Sequence, residues 1–140
     1  MITRELTLQS SSGEQLWGQV WEPGEKTRAV VVLVHGLGEH IQRYQHVADK
    51  FNSKGIALLG FDQQGHGKTG GKRGVINSGK GLMEDITRTV MLTRQIYPGL
   101  PVFLYGHSLG GLEVLYYGLN GPELPTGIIA TSPALELAGM

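Results

Sequence analysis

The first part of the chain alternates between apolar and polar positions in two short segments. Residues 4–10 and residues 15–22 each repeat with a period of two, and Ser11, Ser12 and Gly13 lie between them. A period of two is the repeat of a β-strand, and Ser and Gly favour the turn between two strands. The pattern therefore predicts an antiparallel hairpin with one face open to solvent.

Four later segments are apolar without alternation. The clearest is residues 29–34, where β-branched side chains occupy both faces of the expected strand. A strand of this kind is covered on both faces, which is typical of a parallel sheet. The other three segments are residues 56–61, 102–106 and 127–130.

The segments between these strands repeat with the period of an α-helix. The first covers residues 44–51, the second runs from 79 to 97 with Ser78 as its cap, and the third ends near Asn120. The order ββ, then β-α-β-α-β-α-β, predicts an α/β fold. We expect a mostly parallel sheet with an N-terminal antiparallel hairpin, and a switch point where the chain leaves the strands near residues 35 and 108.

Composition narrows the classes of function. In 140 residues, 12 basic side chains balance 12 acidic ones, so no net charge favours nucleic acid or an anionic membrane. There is no cysteine, which excludes a disulfide framework and a thiol nucleophile. The N-terminus is charged where a signal peptide would be apolar, and the longest apolar run, residues 29–34, is too short to cross a bilayer. We therefore expect a cytoplasmic protein without a transmembrane segment or a nucleic-acid partner.

The pattern with the clearest chemical meaning joins a predicted strand to a predicted helix at Gly106-His107-Ser108-Leu109-Gly110. In a G-x-S-x-G turn the serine adopts a strained backbone conformation, and glycines stand where side chains would collide with the strand or the helix. The turn lifts the serine oxygen above the strand ends, where the helix amides begin. This makes Ser108 the candidate nucleophile.

Three segments resemble the monoacylglycerol lipase and lysophospholipase group of α/β hydrolases. They are VVLVHGLGEH (31–40), FDQQGHGKT (61–69) and YGHSLGG (105–111). The resemblance implies the α/β-hydrolase fold and covers about the N-terminal half of such an enzyme. We therefore expect residues 1–140 to be the N-terminal part of an α/β-hydrolase core domain that stops after about the sixth strand, with the cap and the C-terminal strands absent.

The resemblance also implies roles for individual residues. Ser108 would accept the acyl group, and the backbone amides of Leu37 and Leu109 would form the oxyanion hole. Two fixed N–H donors stabilise the negative oxygen that forms when a serine attacks an ester. In this group the chain order is serine, acid, histidine, but the last histidine here is His107. The acid and the catalytic histidine are therefore expected from beyond residue 140.

Four of the five histidines are expected to have structural roles, and His46 is expected on a helix surface. The side chain of His107 should point away from the Ser108 oxygen, and the loop residues should hold their loops in place. The alternative is that one of the two loop histidines nearest the serine acts as a general base. These loop residues are His35, His40 and His66, of which the first two are the nearest.

Two acidic residues near the predicted turn call for separate interpretations. Asp62 ends a strand, and the resemblance implies that it is structural. Glu113 stands where the group has small or apolar residues, so we expect the helix after Ser108 to present a charged face.

No nucleotide loop and no metal-ligand spacing is found, so neither a cofactor nor a metal is expected.

Two functions remain open. The first is a serine hydrolase of carboxylic esters, of the monoacylglycerol or lysophospholipid type, that forms an acyl-enzyme on Ser108 and is inactive as the 140-residue chain alone. The second is a complete but non-catalytic binding or vestigial half-domain. Residues 127–131 would form a strand with an unpaired apolar edge. The expected partners are therefore an acyl ester substrate and, at this edge, either the missing C-terminal half or another copy.

Overall fold

Six strands form one sheet in the computed structural model, which describes residues 1–135. In chain order they are β1 (Ile2–Gln9), β2 (Gln15–Glu22), β3 (Ala29–Val34), β4 (Ile56–Phe61), β5 (Val102–His107) and β6 (Gly127–Thr131). Across the sheet they lie in the order β1-β2-β4-β3-β5-β6. β2 is antiparallel to β1 and β4, and the pairs β3–β4, β3–β5 and β5–β6 are parallel. The predicted α/β architecture with an N-terminal antiparallel hairpin is confirmed.

Strand β3 lies at the centre because its apolar side chains are covered on both faces. Val30 and Val32 belong to the core on one face, and Val31 and Leu33 belong to the core on the other. The chain passes from β3 to β4 on one side and later to β5 on the opposite side. The carboxyl end of β3 is therefore the predicted switch point, the position where α/β sheets form their ligand crevice.

Three helices cover the two faces of this sheet. They are α1 (Gln45–Asn52), which follows a short 3₁₀ turn at Ile41–Tyr44, α2 (Gly79–Ile96) and α3 (Leu109–Asn120). Helix α1 packs with the core of one face, whereas α2 and α3 pack with the core of the other. Ser78 caps α2 as predicted, because its Oγ accepts a hydrogen bond from the amide of Gly81 at 3.0 Å. In residues 1–135 none of these helices has the length and apolar character needed to cross a membrane.

The expectation of a solvated face on the N-terminal hairpin is wrong for β2. Both Val20 and Trp21, which point to opposite faces, are fully buried. The reason is that β2 is an interior strand whose two faces are both covered: Val20 belongs to the core that contains α2, and Trp21 belongs to the core that contains α1. The indole Nε1 of Trp21 donates to Gln45 Oε1 of α1 at 3.0 Å, which satisfies its polar atom inside the core.

The long segment between β4 and α2 is held by side chains at the end of β4. Asp62 accepts hydrogen bonds from the amides of Ile41 and Lys68, both at 2.9 Å. The hydroxyl of Thr69 donates to the carbonyl of Asp62 at 2.6 Å and accepts from the amide of Trp17 at 3.0 Å. Asp62 therefore ties the loop to the sheet, in agreement with the structural role that the resemblance implied.

Candidate active site

Ser108 is the single residue that connects strand β5 to helix α3. It follows the last residue of β5 and caps α3 with φ 57° and ψ −116°. A positive φ is uncommon for a residue other than glycine, and such strained positions cost about 1–3 kcal/mol. In residues 1–135 only Ser108 and Ser132 combine a side chain with a positive φ. The strained turn predicted from the G-x-S-x-G pattern is therefore present.

The two glycines of the pattern are required by space. A Cβ atom on Gly106 would overlap the carbonyl group of Gly110 in the following helix. A Cβ atom on Gly110 would overlap the carbonyl oxygen of Val34 at the end of β3. The first turn of α3 therefore lies directly against β5 and β3, which is the collision that the sequence pattern predicted.

Backbone hydrogen bonds hold Ser108 in this position. Its amide donates to the carbonyl of Thr131 in β6 at 3.0 Å, and its carbonyl accepts from the amides of Leu112 and Ala134 at 3.2 and 3.0 Å. The amide of Ser108 is thus occupied. The next amide belongs to Leu109, which is the first residue of α3 and has no acceptor within the helix ladder.

The loop after β3 packs against the serine. A Cβ atom on Gly36 would lie 3.0 Å from the carbonyl oxygen of His107 and 3.5 Å from Ser108 Cβ. The amide of Gly36 donates to Glu39 Oε2 at 2.9 Å, and Gly38 has a φ of 76°. Leu37 lies between these glycines with an exposed side chain, and it directly follows Gly36, the loop residue that approaches His107 and Ser108.

His35 has both of its ring nitrogens engaged with the backbone. Nε2 accepts from the amide of Gln63 at 2.9 Å, which leaves the proton on Nδ1 to be donated to the carbonyl of Gly36 at 2.7 Å. Burial lowers the pKa of His35, and the hydrogen bond to Gly36 opposes this change only in part. The ring is therefore neutral and holds two loops together.

The other histidines near the site also contact neighbouring groups. His107 Nδ1 lies 2.8 Å from Thr131 Oγ1, so its ring is directed toward β6. His66 is buried, and its Nδ1 lies 3.0 Å from the carbonyl of Gln64. Within residues 1–135 no three His, Asp or Glu side chains lie close enough together to hold a metal ion. The absence of a cofactor and of a metal remains a prediction.

The expectation that Glu113 gives α3 a charged face is wrong. Only 5% of this residue is exposed. The spacing of Gly110, Glu113, Val114 and Tyr117 places all four on the side of the helix that packs, which is a signal that the sequence already contained. Burial raises the pKa of Glu113 to about 8, although a hydrogen bond from Gln63 lowers it in part.

An apolar groove begins beside the serine. It has a volume of about 570 Å³ and lies between the first turns of α2 and the outer side of α3. Sequence reasoning missed this groove, because it is formed by two helices that are distant along the chain. Its lining residues include Leu82, Met83, Leu109, Leu112 and Tyr116.

The sequence places the chain in a family. The model of the family Hydrolase_4, described as serine aminopeptidase, S33, matches residues 25–140. The chain belongs to the Hydrolase_4 family of α/β hydrolases. The fold that the three sequence segments implied is thereby confirmed.

Individual relatives in this group of α/β hydrolases are lipases and esterases. A monoacylglycerol lipase of Mycolicibacterium smegmatis is 37% identical over 89% of this chain, which corresponds to 44% of that protein. The structure of a monoacylglycerol lipase from Paleococcus ferrophilus has a TM-score of 0.76 and 39% identity, over 89% of this chain and 45% of that one. A carboxyl esterase from Bacillus coagulans has a TM-score of 0.81 and 32% identity, over 93% of this chain and 44% of that one. The chain thus spans somewhat less than half the length of these relatives.

Glu113→Gln should change how the stability of this Hydrolase_4 chain depends on pH. The pKa of the carboxyl is about 8 in the folded protein against an ordinary value of 4.5, so between these values the folded state keeps a proton that the unfolded state has released. The free energy of unfolding therefore falls as pH rises through this range. As pH rises through this range, the free energy of unfolding of the variant should increase relative to that of the natural sequence by about 1 kcal/mol per pH unit, measured by urea unfolding.

The matched control for this measurement is Glu84→Gln, which changes an exposed carboxylate of α2. Its unfolding should follow the pH dependence of the natural sequence. Equal pH slopes for Glu113→Gln and the natural sequence would contradict the raised pKa.

Proposed function

We propose that this protein is a serine hydrolase of carboxylic esters with Ser108 as its nucleophile. The observation that carries the proposal is the strained backbone of Ser108 at the turn between β5 and α3, beside Gly36, where a Cβ atom would lie 3.5 Å from Ser108 Cβ. Ser108 Oγ would bond to the ester carbonyl carbon while a base takes its proton, and the alcohol would leave with that proton. Water would then attack the acyl-enzyme, which releases a carboxylic acid and restores the serine.

The amides of Leu37 and Leu109 are proposed to form the oxyanion hole. Two observations support this assignment. Leu109 is the first residue of α3, where the amide points out of the helix and the helix dipole favours negative charge. Leu37 follows Gly36, whose lack of a side chain allows the loop to approach His107 and Ser108 closely.

The substrate is proposed to be an ester of a fatty acid, of the monoacylglycerol or lysophospholipid type. The groove that begins at Leu109 is mainly apolar, so it suits an alkyl chain better than a charged or sugar-like group. Two of the relatives described above are named monoacylglycerol lipases. Together these observations favour a lipid ester over a peptide, although the family model is described as serine aminopeptidase.

The base that activates Ser108 is proposed to come from a segment that follows residue 140. His35 is neutral with both ring nitrogens bonded, and His107 contacts Thr131. We therefore propose that residues 1–140 are the N-terminal part of a core domain whose acid, histidine and cap lie in that later segment. On this proposal the 140-residue chain alone does not hydrolyse esters.

Ser108→Ala should abolish labelling of the full-length gene product by a fluorophosphonate probe. The probe reacts with an activated serine because the hydroxyl oxygen displaces fluoride at phosphorus. Ser12→Ala removes an exposed hydroxyl in the hairpin turn and should leave the labelling unchanged. Labelling is measured by intact mass and by the identity of the modified peptide.

Two results would contradict the Ser108 assignment. Labelling that persists in Ser108→Ala would place the nucleophile elsewhere. A complete lack of labelling in every longer form of the protein would favour the alternative of a non-catalytic binding or vestigial half-domain.

Leu37→Pro should slow labelling of the full-length product by a factor of about 10²–10³, because proline has no amide hydrogen to donate to an oxyanion. Leu37→Ala keeps the amide and removes a side chain that is 60% exposed, so its labelling rate should stay near that of the natural sequence. Thermal unfolding of both variants checks that the loop change leaves the fold intact. Equal rates for the two variants would remove Leu37 from the oxyanion hole.

The open edge of β6 is proposed to bind either the C-terminal half of the protein or a second copy of this chain. In the described residues β6 has β5 as its only neighbour, and Ile129 in it is exposed. An apolar edge strand offers unpaired backbone groups to another chain.

The 140-residue chain alone should therefore migrate as a dimer or larger species in size-exclusion chromatography with light scattering. Ile129→Lys should shift it toward the monomer, since charged side chains on edge strands oppose pairing. Leu124→Lys adds the same charge at an exposed position outside the strand and should leave the oligomer unchanged. A stable monomer of the natural sequence would contradict the proposal.

A further inference from the structure

A run of hydrogen bonds links the helix after Ser108 to the loop beside it. It begins at Glu113 in α3, passes through Gln63 and His35, and ends at Gly36. Its first member is the one buried carboxyl group on α3, and its last member is Gly36, where a Cβ atom would lie 3.5 Å from Ser108 Cβ. The run therefore joins the two pieces of backbone that carry the proposed oxyanion hole.

The side chain of Gln63 connects α3 to the loop after β3, because it contacts both Glu113 and His35. Its Nε2 donates to the carbonyl of His35 at 2.8 Å and lies 3.4 Å from Glu113 Oε2. Both partners are acceptors, which defines the orientation of the amide group. The contact with His35 is short and the contact with Glu113 is long, so the amide is held mainly by the loop.

His35 transmits this contact to the loop after β3. The carbonyl of His35 accepts a hydrogen bond from the side chain of Gln63, and its Nε2 accepts one from the backbone amide of Gln63. Its Nδ1 donates to the carbonyl of Gly36. A movement of Gln63 therefore changes the support of His35 at two points. Since Leu37 follows Gly36 directly, its amide direction depends on the same support.

Few charges face Glu113 from the neighbouring elements. On α2, Lys80 lines the apolar groove with Glu113, and Asp85 lines a small cavity of about 40 Å³ with it. Asp85 is engaged by Ser10 and by the amide of Ser11. The titratable side chains of the other packed segments are His35 at the end of β3 and His66 in the loop after β4, whose ring centroids lie 5.3 Å apart with the rings tilted by 47°.

Glu113 has no cationic partner in the described part of the chain. Neither of the two ion pairs between residues 1 and 135 involves it, and its Oε1 atom has no hydrogen-bond partner there. A carboxylate in this position would have Gln63 Nε2 as its available donor. Ionised acceptors form shorter and stronger hydrogen bonds than neutral ones.

We propose that Glu113 is a positioning residue whose protonation sets the placement of the Gly36–Leu37 loop relative to Ser108, through Gln63 and His35. When the carboxyl is neutral, Gln63 Nε2 stays with the carbonyl of His35. When it ionises, it draws the amide toward α3 and loosens the loop. The proposal rests on the proposed function, because the loop position matters through the amide of Leu37.

The proposed loop change should occur at the pH where Glu113 loses its proton. Burial raises the pKa of Glu113 to about 8, so the carboxyl changes charge close to neutral pH. Below this value the neutral form keeps the loop in the arrangement that the structure shows. Above it, the ionised form should disturb the loop.

The test is an NMR titration of the full chain between about pH 6 and about pH 9, with ¹³C-labelled glutamate and ¹⁵N-labelled glycine and leucine. The Glu113 carboxyl and the amides of Gly36 and Leu37 should titrate with one common midpoint. In Glu113→Gln this transition should be lost from both amides. In Glu84→Gln, the exposed control, it should remain unchanged.

Gln63→Leu tests whether the amides of Gly36 and Leu37 respond to Glu113 through the Gln63 side chain or only because the carboxyl is nearby. In this variant Glu113 should still titrate, but the amides of Gly36 and Leu37 should no longer follow it. Two results would overturn the proposal: a Gly36 and Leu37 transition that survives in Gln63→Leu, or natural-sequence amides that do not follow Glu113. If Gln63→Leu does not fold, Glu113→Gln decides the question. The titration needs no hydrolysis, so its outcome is independent of whether Ser108 is labelled by the fluorophosphonate.

Discussion

The close approach of helix α3 to the ends of β3 and β5 is the constraint on which the site depends. The helix backbone lies where a side chain on Gly106 or Gly110 would stand. Because the chain must turn from the strand into the helix within one residue, Ser108 takes a positive φ. The same turn brings the start of the helix, and therefore its free amides, beside the serine. Strain at one residue thus gives the position of both the proposed nucleophile and one proposed oxyanion donor.

The second element of the site is a loop that is held by buried polar side chains. His35, Asp62 and Gln63 connect the ends of β3 and β4 to the loops that follow them. Buried polar groups cost free energy unless they are hydrogen-bonded, so such contacts hold the loops in one arrangement. Oε1 of Glu113 and Oε1 of Gln63 are both buried without a hydrogen-bond partner in the described residues. Burial raises the pKa of the Glu113 carboxyl to about 8.

The chain belongs to the Hydrolase_4 family, whose model matches residues 25–140, and it spans less than half the length of its lipase and esterase relatives. On the proposed function, the two halves of the active site have separate tasks. This half would supply the nucleophile at the turn before α3 and the anion donors at the start of α3 and in the loop after β3. The later half would supply the proton acceptor, which explains why neither His35 nor His107 is placed to take that role.

The sequence by itself determined the elements, their order and the strained turn. Continuous β-branched runs such as residues 29–34 predict strands covered on both faces, and the glycines around Ser108 restrict the backbone locally. Only the tertiary structure decided that β2 is an interior strand and that Glu113 is buried, because both depend on which distant segment packs alongside. Alternation shows that a strand has two different faces, but only the packing of α2 on one side of the sheet and of α1 on the other decides that both faces of β2 are covered. In the same way, Gln63 reaches Glu113 across 50 residues of chain, a contact that no local pattern contains.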